Sequence, residues 1–224
     1  MSCKANALIS LLMQLSPQTR IFLTLTALFW ISLLLFVLFV GKERSFLLLQ
    51  FAHSETAVKV MQLLTFLADG SFVIIIVLLT AVFRSYRLAI LLLGGFLLSG
   101  LVVQSLKNTI FSEEPRPVKW FRIQDLPLEV PYGLNPHENK SFPSGHSATA
   151  GAFMTFLAFR TRKTILVLAC FAGIVLLPYT RIYLFQHFPG DVAAGLLIGV
   201  LIQVLIEALL ESKLTKLNRS LIRL

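Results

Sequence analysis

The sequence predicts an all-α polytopic membrane protein in which six transmembrane helices form a bundle. The first observation is composition: the 224 residues are 56% hydrophobic and only 14% charged, whereas soluble domains carry about 25% charged residues. The second is that the apolar residues are gathered in runs long enough to cross a hydrocarbon core of about 30 Å. Basic residues stand at the ends of these runs, so the net charge of +9 fits membrane topology, and no nucleic-acid partner is expected.

Polar interruptions divide the chain into six apolar segments. The first, 21–40, is long enough to cross the bilayer and ends in a charged stretch. Asp69 interrupts the second segment, and paired glycines at 94–95 let the third approach a neighbouring helix closely. The fourth is short for a crossing, so its helix is expected to begin back near Ser144. The predicted spans are about 21–40, 60–83, 88–106, 147–159, 164–180 and 192–210.

Three regions follow from this segmentation. Residues 1–20 form an N-terminal cytoplasmic or interfacial segment, in which 5–16 is either an amphipathic surface helix or a disordered tail. Residues 21–211 form the six-helix membrane domain, and residues 212–224 form a basic cytoplasmic tail. The long polar connection at 107–142 is expected to be an interfacial loop, because it is rich in proline and contains tryptophan and tyrosine.

The basic residues also orient the bundle. Clusters at the N-terminus, at 84–87, at 160–163 and in the tail hold 11 of the 20 Lys and Arg residues, and short basic segments stay in the cytoplasm. Both termini are therefore predicted to be cytoplasmic. Polar residues at the ends of four different spans then share the non-cytoplasmic face, namely Lys107, His146, Arg181 and Asp191.

The strongest chemical pattern is Arg-x5-His-x3-Asp, formed by Arg181, His187 and Asp191 between two apolar runs. Charged groups in such a position are costly unless they have a function. A carboxylate four residues after a histidine can hold one ring nitrogen and leave the other free as a nucleophile. The alternative for Asp191 is a helix N-terminal residue favoured by the macrodipole.

A second pattern, FPSGHS, precedes the fourth span. Ser144 and Gly145 lie where the first amides of a helix point toward an anion, and glycine allows close backbone approach. His146 is placed to give a proton to a leaving oxygen. The alternatives are an ordinary turn and a buried, hydrogen-bonded histidine.

Three cations complete the candidate site, namely Lys107, Arg116 and Arg181. Arginine supplies a planar fork suited to phosphate, and lysine supplies a mobile point charge. Together they suit a tetrahedral oxyanion. The alternative is that each is an interfacial cation in contact with lipid headgroups.

These three patterns, over 85 residues, resemble the three-part signature of the type 2 phosphatidic acid phosphatase superfamily. Members of that superfamily are integral membrane lipid phosphatases related to vanadium haloperoxidases. The sequence departs from the usual signature in two places. Eight residues separate Lys107 from Arg116, where six are usual, and Thr180 replaces the usual serine before Arg181.

The resemblance implies a role for each candidate residue. His187 attacks phosphorus and forms a phosphohistidine, Asp191 orients His187, and His146 protonates the leaving group before water hydrolyses the intermediate. No cofactor or metal is expected, and the sequence has no carboxylate cluster suited to magnesium. The residues expected to bind the phosphoryl oxygens are Lys107, Arg116, Ser144, Gly145 and Arg181.

Three functions remain open at this stage. The first is hydrolysis of a lipid phosphate or diphosphate at the outer leaflet of a bacterial inner membrane: undecaprenyl pyrophosphate, phosphatidylglycerol phosphate, phosphatidic acid or a lipid A phosphate. The second is phosphoryl transfer between lipids by the same site. The third is a non-catalytic lipid-binding or transport protein, although transporters place polar groups near the bilayer midplane. Asp69 either faces the site or marks the outer end of the second span.

A reporter fusion tests the predicted orientation. An enzyme active only in the periplasm and fused after Leu224 is expected to stay inactive, because the basic tail holds the C-terminus in the cytoplasm. The same reporter inserted into the 107–142 loop is the control and is expected to be active. Periplasmic activity of the fusion after Leu224 would overturn the orientation.

Overall fold

The computed structural model describes residues 15–131, 133–211, 213–214 and 217, and regular secondary structure in these residues is helical throughout. The predicted surface helix at 5–16 and the basic tail at 212–224 lie largely outside the described residues. Over the described part of the chain we number nine helices: α1 (Pro17–Val40), α2 (Lys42–Leu48), α3 (Glu55–Phe66), α4 (Gly70–Phe83), α5 (Tyr86–Thr109), α6 (Pro117–Ile123), α7 (Gly145–Ala158), α8 (Thr164–Tyr183) and α9 (Pro189–Leu210).

Four of these helices, α1, α5, α8 and α9, are long and apolar enough to cross a membrane. Helices α3 and α4 pass the same test together but are bent by 46°. The described residues thus contain four spans, or five if the bent pair is one span. The prediction of an all-α membrane protein is confirmed, whereas the predicted number of six spans is not.

The bend between α3 and α4 falls where Asp69 interrupts the second apolar segment. Asp69 is the N-cap of α4, and its Oδ1 accepts a hydrogen bond from the backbone N–H of Ser71 at 2.9 Å. An N-cap residue has non-helical backbone angles, so a carboxylate here starts a new helix and ends the continuity of the old one. The predicted span at 60–83 is therefore two helices.

Helix α7 is the short central helix of the bundle. It has 14 residues and is about 21 Å long at 1.5 Å per residue, which is less than the hydrocarbon thickness of about 30 Å. Most of its side chains are buried against α5, α8 and α9. Its length explains why it is not a span by itself. The helix begins at Gly145 after the N-cap Ser144, as the sequence predicts.

Small residues let α7 and α9 approach each other closely. A Cβ at Gly199 would overlap the carbonyl of Ala148, and a Cβ at Gly195 would overlap the carbonyl of Ser144. In the other direction, a Cβ at Gly151 would lie 2.8 Å from a backbone oxygen of α9. Small residues at such contacts are typical of helix packing in membranes. They fix the depth of α7 in the bundle.

The loop between α5 and α7 folds back over one end of the bundle. Within it, the backbone N–H of Arg116 donates to the carbonyl of Glu138 at 2.8 Å. Helix α2 is tied to this loop, because Lys42 forms an ion pair with Glu114 at 2.8 Å and lies 3.8 Å from the centre of the Trp120 ring. Aromatic side chains pack between this loop, α2 and the chain that joins α8 to α9. The cluster includes Phe46, Phe121, Phe185 and Phe188.

A buried polar cluster joins α5, α7 and α9 at the other end of the bundle. Glu207 accepts hydrogen bonds from Arg160, which directly follows α7, and from Gln203, each at 2.8 Å. The amide of Gln203 lies so close to Gly95 of α5 that a Cβ there would overlap it. Because a buried charge without a partner is strongly destabilising, this cluster keeps the three helices in register.

Two glycines give a matched test of the α7–α9 contact. Gly199→Ala is expected to lower the Tm in detergent, because the new methyl group meets the Ala148 carbonyl, and overpacking typically costs about 1–3 kcal/mol. In Gly100→Ala the new methyl group meets no atom within 4 Å, so alanine's better helix propensity, about 1 kcal/mol, should leave the Tm equal or higher. Equal Tm values for both variants would contradict this packing.

Candidate active site

The structure brings the predicted site residues to one end of the bundle. Lys107 lies in the last turn of α5 and Arg181 in the last turn of α8, whereas His146 and Asp191 lie in the first turns of α7 and α9. The chain between α8 and α9 adds His187, which is only 2% exposed. Four separate helix ends therefore converge at this end of the bundle.

The imidazole of His187 faces the carboxylate of Asp191. Its Nδ1 lies 3.6 Å from Asp191 Oδ2, which is longer than an ordinary hydrogen bond. This Nδ1 is buried and has no other hydrogen-bond partner among the described residues. Catalytic hydrogen bonds are often long before substrate binds and shorten in the complex. The geometry leaves Nε2 as the nitrogen on the free edge of the ring.

Asp191 also caps its own helix. Its Oδ2 accepts a hydrogen bond from the backbone N–H of Phe188 at 2.9 Å. The same oxygen accepts one from the hydroxyl of Ser141 at 2.6 Å, and Ser141 is fully buried. The two interpretations of Asp191, helix cap and histidine partner, thus hold together. Sequence reasoning missed Ser141, and the only available signal was a hydroxyl two residues before Pro143.

Neutral oxygen atoms hold two of the three cations. Lys107, 7% exposed, donates from Nζ to the carbonyl of Lys140 at 2.9 Å. Arg116, 9% exposed, donates from Nε to the carbonyl of Asn139 at 2.9 Å and from Nη1 to the Gln186 side chain at 2.7 Å. Burial lowers the pKa of Arg116, because a charged group loses hydration there.

Arg181 completes this set of buried cations. Its Nη1 donates to the hydroxyl of Thr65 at 3.1 Å, while its Nε is buried and has no hydrogen-bond partner in the part of the chain that the structure describes. Among the described residues, none of the three cations forms a salt bridge with a carboxylate. Buried charge of one sign requires a counterion. The site is therefore arranged for an anion.

The start of α7 provides further donors. The Oγ of Ser144 accepts a hydrogen bond from the hydroxyl of Ser147 at 2.9 Å, so its own hydroxyl hydrogen is free to donate. At Gly145 a Cβ would meet no protein atom nearer than 3.9 Å. The atom at that distance belongs to Val103, in ordinary van der Waals contact. Gly145 is the first residue of α7, and the unpaired amides of a helix N-terminus favour an anion.

The imidazole of His146 faces Asp69, the residue that the sequence left with two interpretations. His146 Nε2 lies 3.5 Å from Asp69 Oδ2, and both side chains are about a third exposed, at 31% and 39%. Asp69 therefore faces the site while it also caps α4. The sequence offers no spacing rule that would pair these two residues.

The surroundings of His187 keep its imidazole neutral. Burial is the largest cause of a pKa well below the usual histidine value, and the positive charges of Arg116, Lys107 and Arg181 lower it further. A neutral imidazole has the lone pair that a nucleophile needs.

Among the described residues, no group of three or more His, Cys, Asp or Glu side chains could hold a metal ion.

Comparison with known proteins identifies the family of this chain. The sequence profile of the PAP2 superfamily matches residues 87–212. Lipid A 1-phosphatase from Rhizobium etli is 30% identical over 197 residues, which cover 80% of this chain and 78% of that protein. The region that matches the PAP2 profile, residues 87–212, includes each predicted site residue.

Two crystal structures are similar in fold. That of Aquifex aeolicus LpxE has a TM-score of 0.59 and 27% sequence identity, and the match covers 72% of this chain and 91% of that chain. That of a transmembrane PAP2-type phosphatidylglycerolphosphate phosphatase from Bacillus subtilis has a TM-score of 0.61 at 21% identity, covering 85% and 96%; it supports the fold alone. The chain belongs to the PAP2 superfamily and is a membrane phosphatase of that family.

Proposed function

We propose that this protein hydrolyses a lipid phosphate at the non-cytoplasmic face of the membrane through a phosphohistidine on His187. The observation that carries the proposal is the buried, neutral imidazole of His187 among three buried cations without carboxylate partners. Lys107, Arg116 and Arg181 would hold the phosphoryl oxygens, together with Ser144 and the Gly145 amide. Their charge stabilises the negative charge of the transition state.

In the first step, Nε2 of His187 attacks phosphorus, and the bond from phosphorus to the leaving oxygen breaks. The imidazole becomes positively charged and keeps its proton on Nδ1, facing Asp191. The carboxylate stabilises that charge, as in other catalytic triads where a carboxylate orients an imidazole. Ser141 holds the same carboxylate oxygen at 2.6 Å and so fixes its position.

His146 serves as the general acid in this step and gives its proton to the leaving oxygen. In the second step it takes a proton from water, which attacks the phosphohistidine and releases inorganic phosphate. The roles of acid and base alternate on one imidazole, so the two half-reactions restore the starting state. Its partial exposure, 31%, is consistent with access by both a leaving group and water.

A phosphate on a lipid A-type headgroup is the substrate we propose first. The support comes from Lipid A 1-phosphatase of Rhizobium etli, which is 30% identical over 80% of this chain. A panel of purified lipid phosphates tests the choice directly. Undecaprenyl pyrophosphate, phosphatidylglycerol phosphate and phosphatidic acid are the comparison substrates, and faster phosphate release from one of them would replace lipid A in this proposal.

We also infer six crossings, with both termini in the cytoplasm of a bacterial cell. Helices α5 and α8 both end at the site, and α7, which lies between them in the chain, begins there. Helix α7 would therefore carry the chain from the site to the opposite end of the bundle. Helix α7 would then count as the sixth crossing although it is shorter than the hydrocarbon core. The site would face the periplasm.

Variants of the two histidines are expected to be defective at different steps of the reaction. His187→Ala should abolish the trapped phosphoenzyme, because the nucleophile is gone. His146→Ala should lower turnover of lipid monophosphates by roughly 10²–10⁴-fold, with a smaller loss on diphosphates, whose leaving phosphate is less basic. The His146→Ala variant should still form phosphohistidine on His187 from a substrate with a good leaving group.

The measurement is acid-labile phosphohistidine in wild type and both variants, with the exposed loop residue His137 changed to alanine as the control. The control should label like wild type. If His187→Ala labels and His146→Ala does not, the roles are reversed.

Activity is expected to persist in a chelator and to be blocked by vanadate. The cations Lys107, Arg116 and Arg181 supply the charge stabilisation that a metal supplies in other phosphatases, and vanadate mimics pentacoordinate phosphorus. Phosphate release is measured in EDTA, with and without added magnesium. A loss of activity in EDTA that magnesium restores would contradict the proposed mechanism.

A further inference from the structure

We propose that Asp69 is a positioning residue for His146, holding the imidazole and favouring its protonated form. The inference rests on the proposed role of His146 as general acid. It concerns a residue outside all three sequence patterns, located in the break between α3 and α4.

The two carboxylate oxygens of Asp69, in the break between α3 and α4, contact different partners. Asp69 Oδ1 accepts hydrogen bonds from the backbone N–H of Ser71, at 2.9 Å, and from the Ser71 hydroxyl. Oδ2 faces Nε2 of His146 at 3.5 Å. The cap on α4 therefore fixes the carboxylate, and the 46° bend between α3 and α4 occurs at the level of the site. Nδ1 of His146 remains available to the leaving group.

The arrangement resembles that of His187, although the carboxylate faces Nδ1 of His187 and Nε2 of His146. Asp191 caps α9 and faces His187 at 3.6 Å, just as Asp69 caps α4 and faces His146 at 3.5 Å. Each imidazole thus has a carboxylate fixed by a helix N-terminus. The first pair lies four residues apart on one segment, whereas the second joins two distant segments.

The negative charge of Asp69 acts on the protonation of His146. Burial is the largest influence on His146 and disfavours a protonated imidazole, as do the positive charges of Arg181, Arg116 and Lys107, whereas the carboxylate of Asp69 favours it. His146 also interacts with His187. A general acid must hold its proton until the leaving group takes it. Among these groups, Asp69 is the one that favours the protonated imidazole.

Asp69→Asn separates this role from helix capping. Asparagine is as good an N-cap as aspartate, so the variant keeps the start of α4 and removes only the charge. Asp69→Ala removes both and serves as the stability comparison. A Tm for Asp69→Asn equal to that of wild type establishes that the fold is intact in the variant used for kinetics.

The experiment measures the single-turnover rate of His187 phosphorylation against pH for a lipid monophosphate and for an aryl phosphate such as p-nitrophenyl phosphate, because the later attack of water is common to both substrates. With the lipid, Asp69→Asn is expected to lower this rate by roughly 10-fold or more, within the range that general acids supply, and to move the basic limb of the profile to lower pH. With the aryl phosphate, whose leaving group needs no proton, this rate should change by less than about threefold.

A double variant decides whether Asp69 acts through His146. In a His146→Ala background, Asp69→Asn should have no further effect on the lipid substrate, because residues that act together are non-additive. Additive losses, equal losses on both substrates or an unmoved pH profile would overturn the inference and leave Asp69 as a helix cap only. If His146→Ala itself loses the same factor on both substrates, the general-acid assignment in the proposed function fails instead.

Discussion

Positive charge that no salt bridge among the described residues neutralises, buried at one end of a helix bundle, is the constraint on which the rest of the structure depends. Three cations lie there at 9% exposure or less, and carbonyl, amide and hydroxyl oxygens hold them in place of carboxylates. Neutral acceptors fix the position of a cation without cancelling its charge. The free protein therefore retains a strong field at this end, and a phosphate group bound there would complete the set of charges.

The same field explains why both carboxylates near the site are attached to helix N-termini. A carboxylate free to move among these cations would form an ion pair with one of them and block the anion site. Asp191 is held by the Phe188 amide and the Ser141 hydroxyl, and Asp69 by Ser71. In Asp69 one oxygen caps the helix and the other faces His146, whereas in Asp191 the same oxygen, Oδ2, caps the helix and faces His187. Helix capping and the placement of these candidate catalytic groups are thus one feature of the fold.

Close packing of α7 against α9 sets the position of these groups relative to each other. Gly195 lies against the carbonyl of Ser144, and Gly199 against that of Ala148. The amide of Ser144 also donates to the carbonyl of Asp191 at 3.0 Å. Because the backbones meet directly, a shift of either helix would displace the donors at the start of α7. The short length of α7 is compatible with this role, since its other surfaces are covered by neighbouring helices.

The sequence by itself determined the helical class, the clustering of the motif residues at helix ends and the candidate nucleophile, because apolar runs and fixed spacings such as His187 to Asp191 are local properties of the chain. Only the tertiary structure decided that Ser141 donates to Asp191, that Asp69 faces His146 and that α7 lies at the centre of the bundle. Those contacts join distant segments or depend on how the helices enclose each other, and no spacing along a single sequence records such packing.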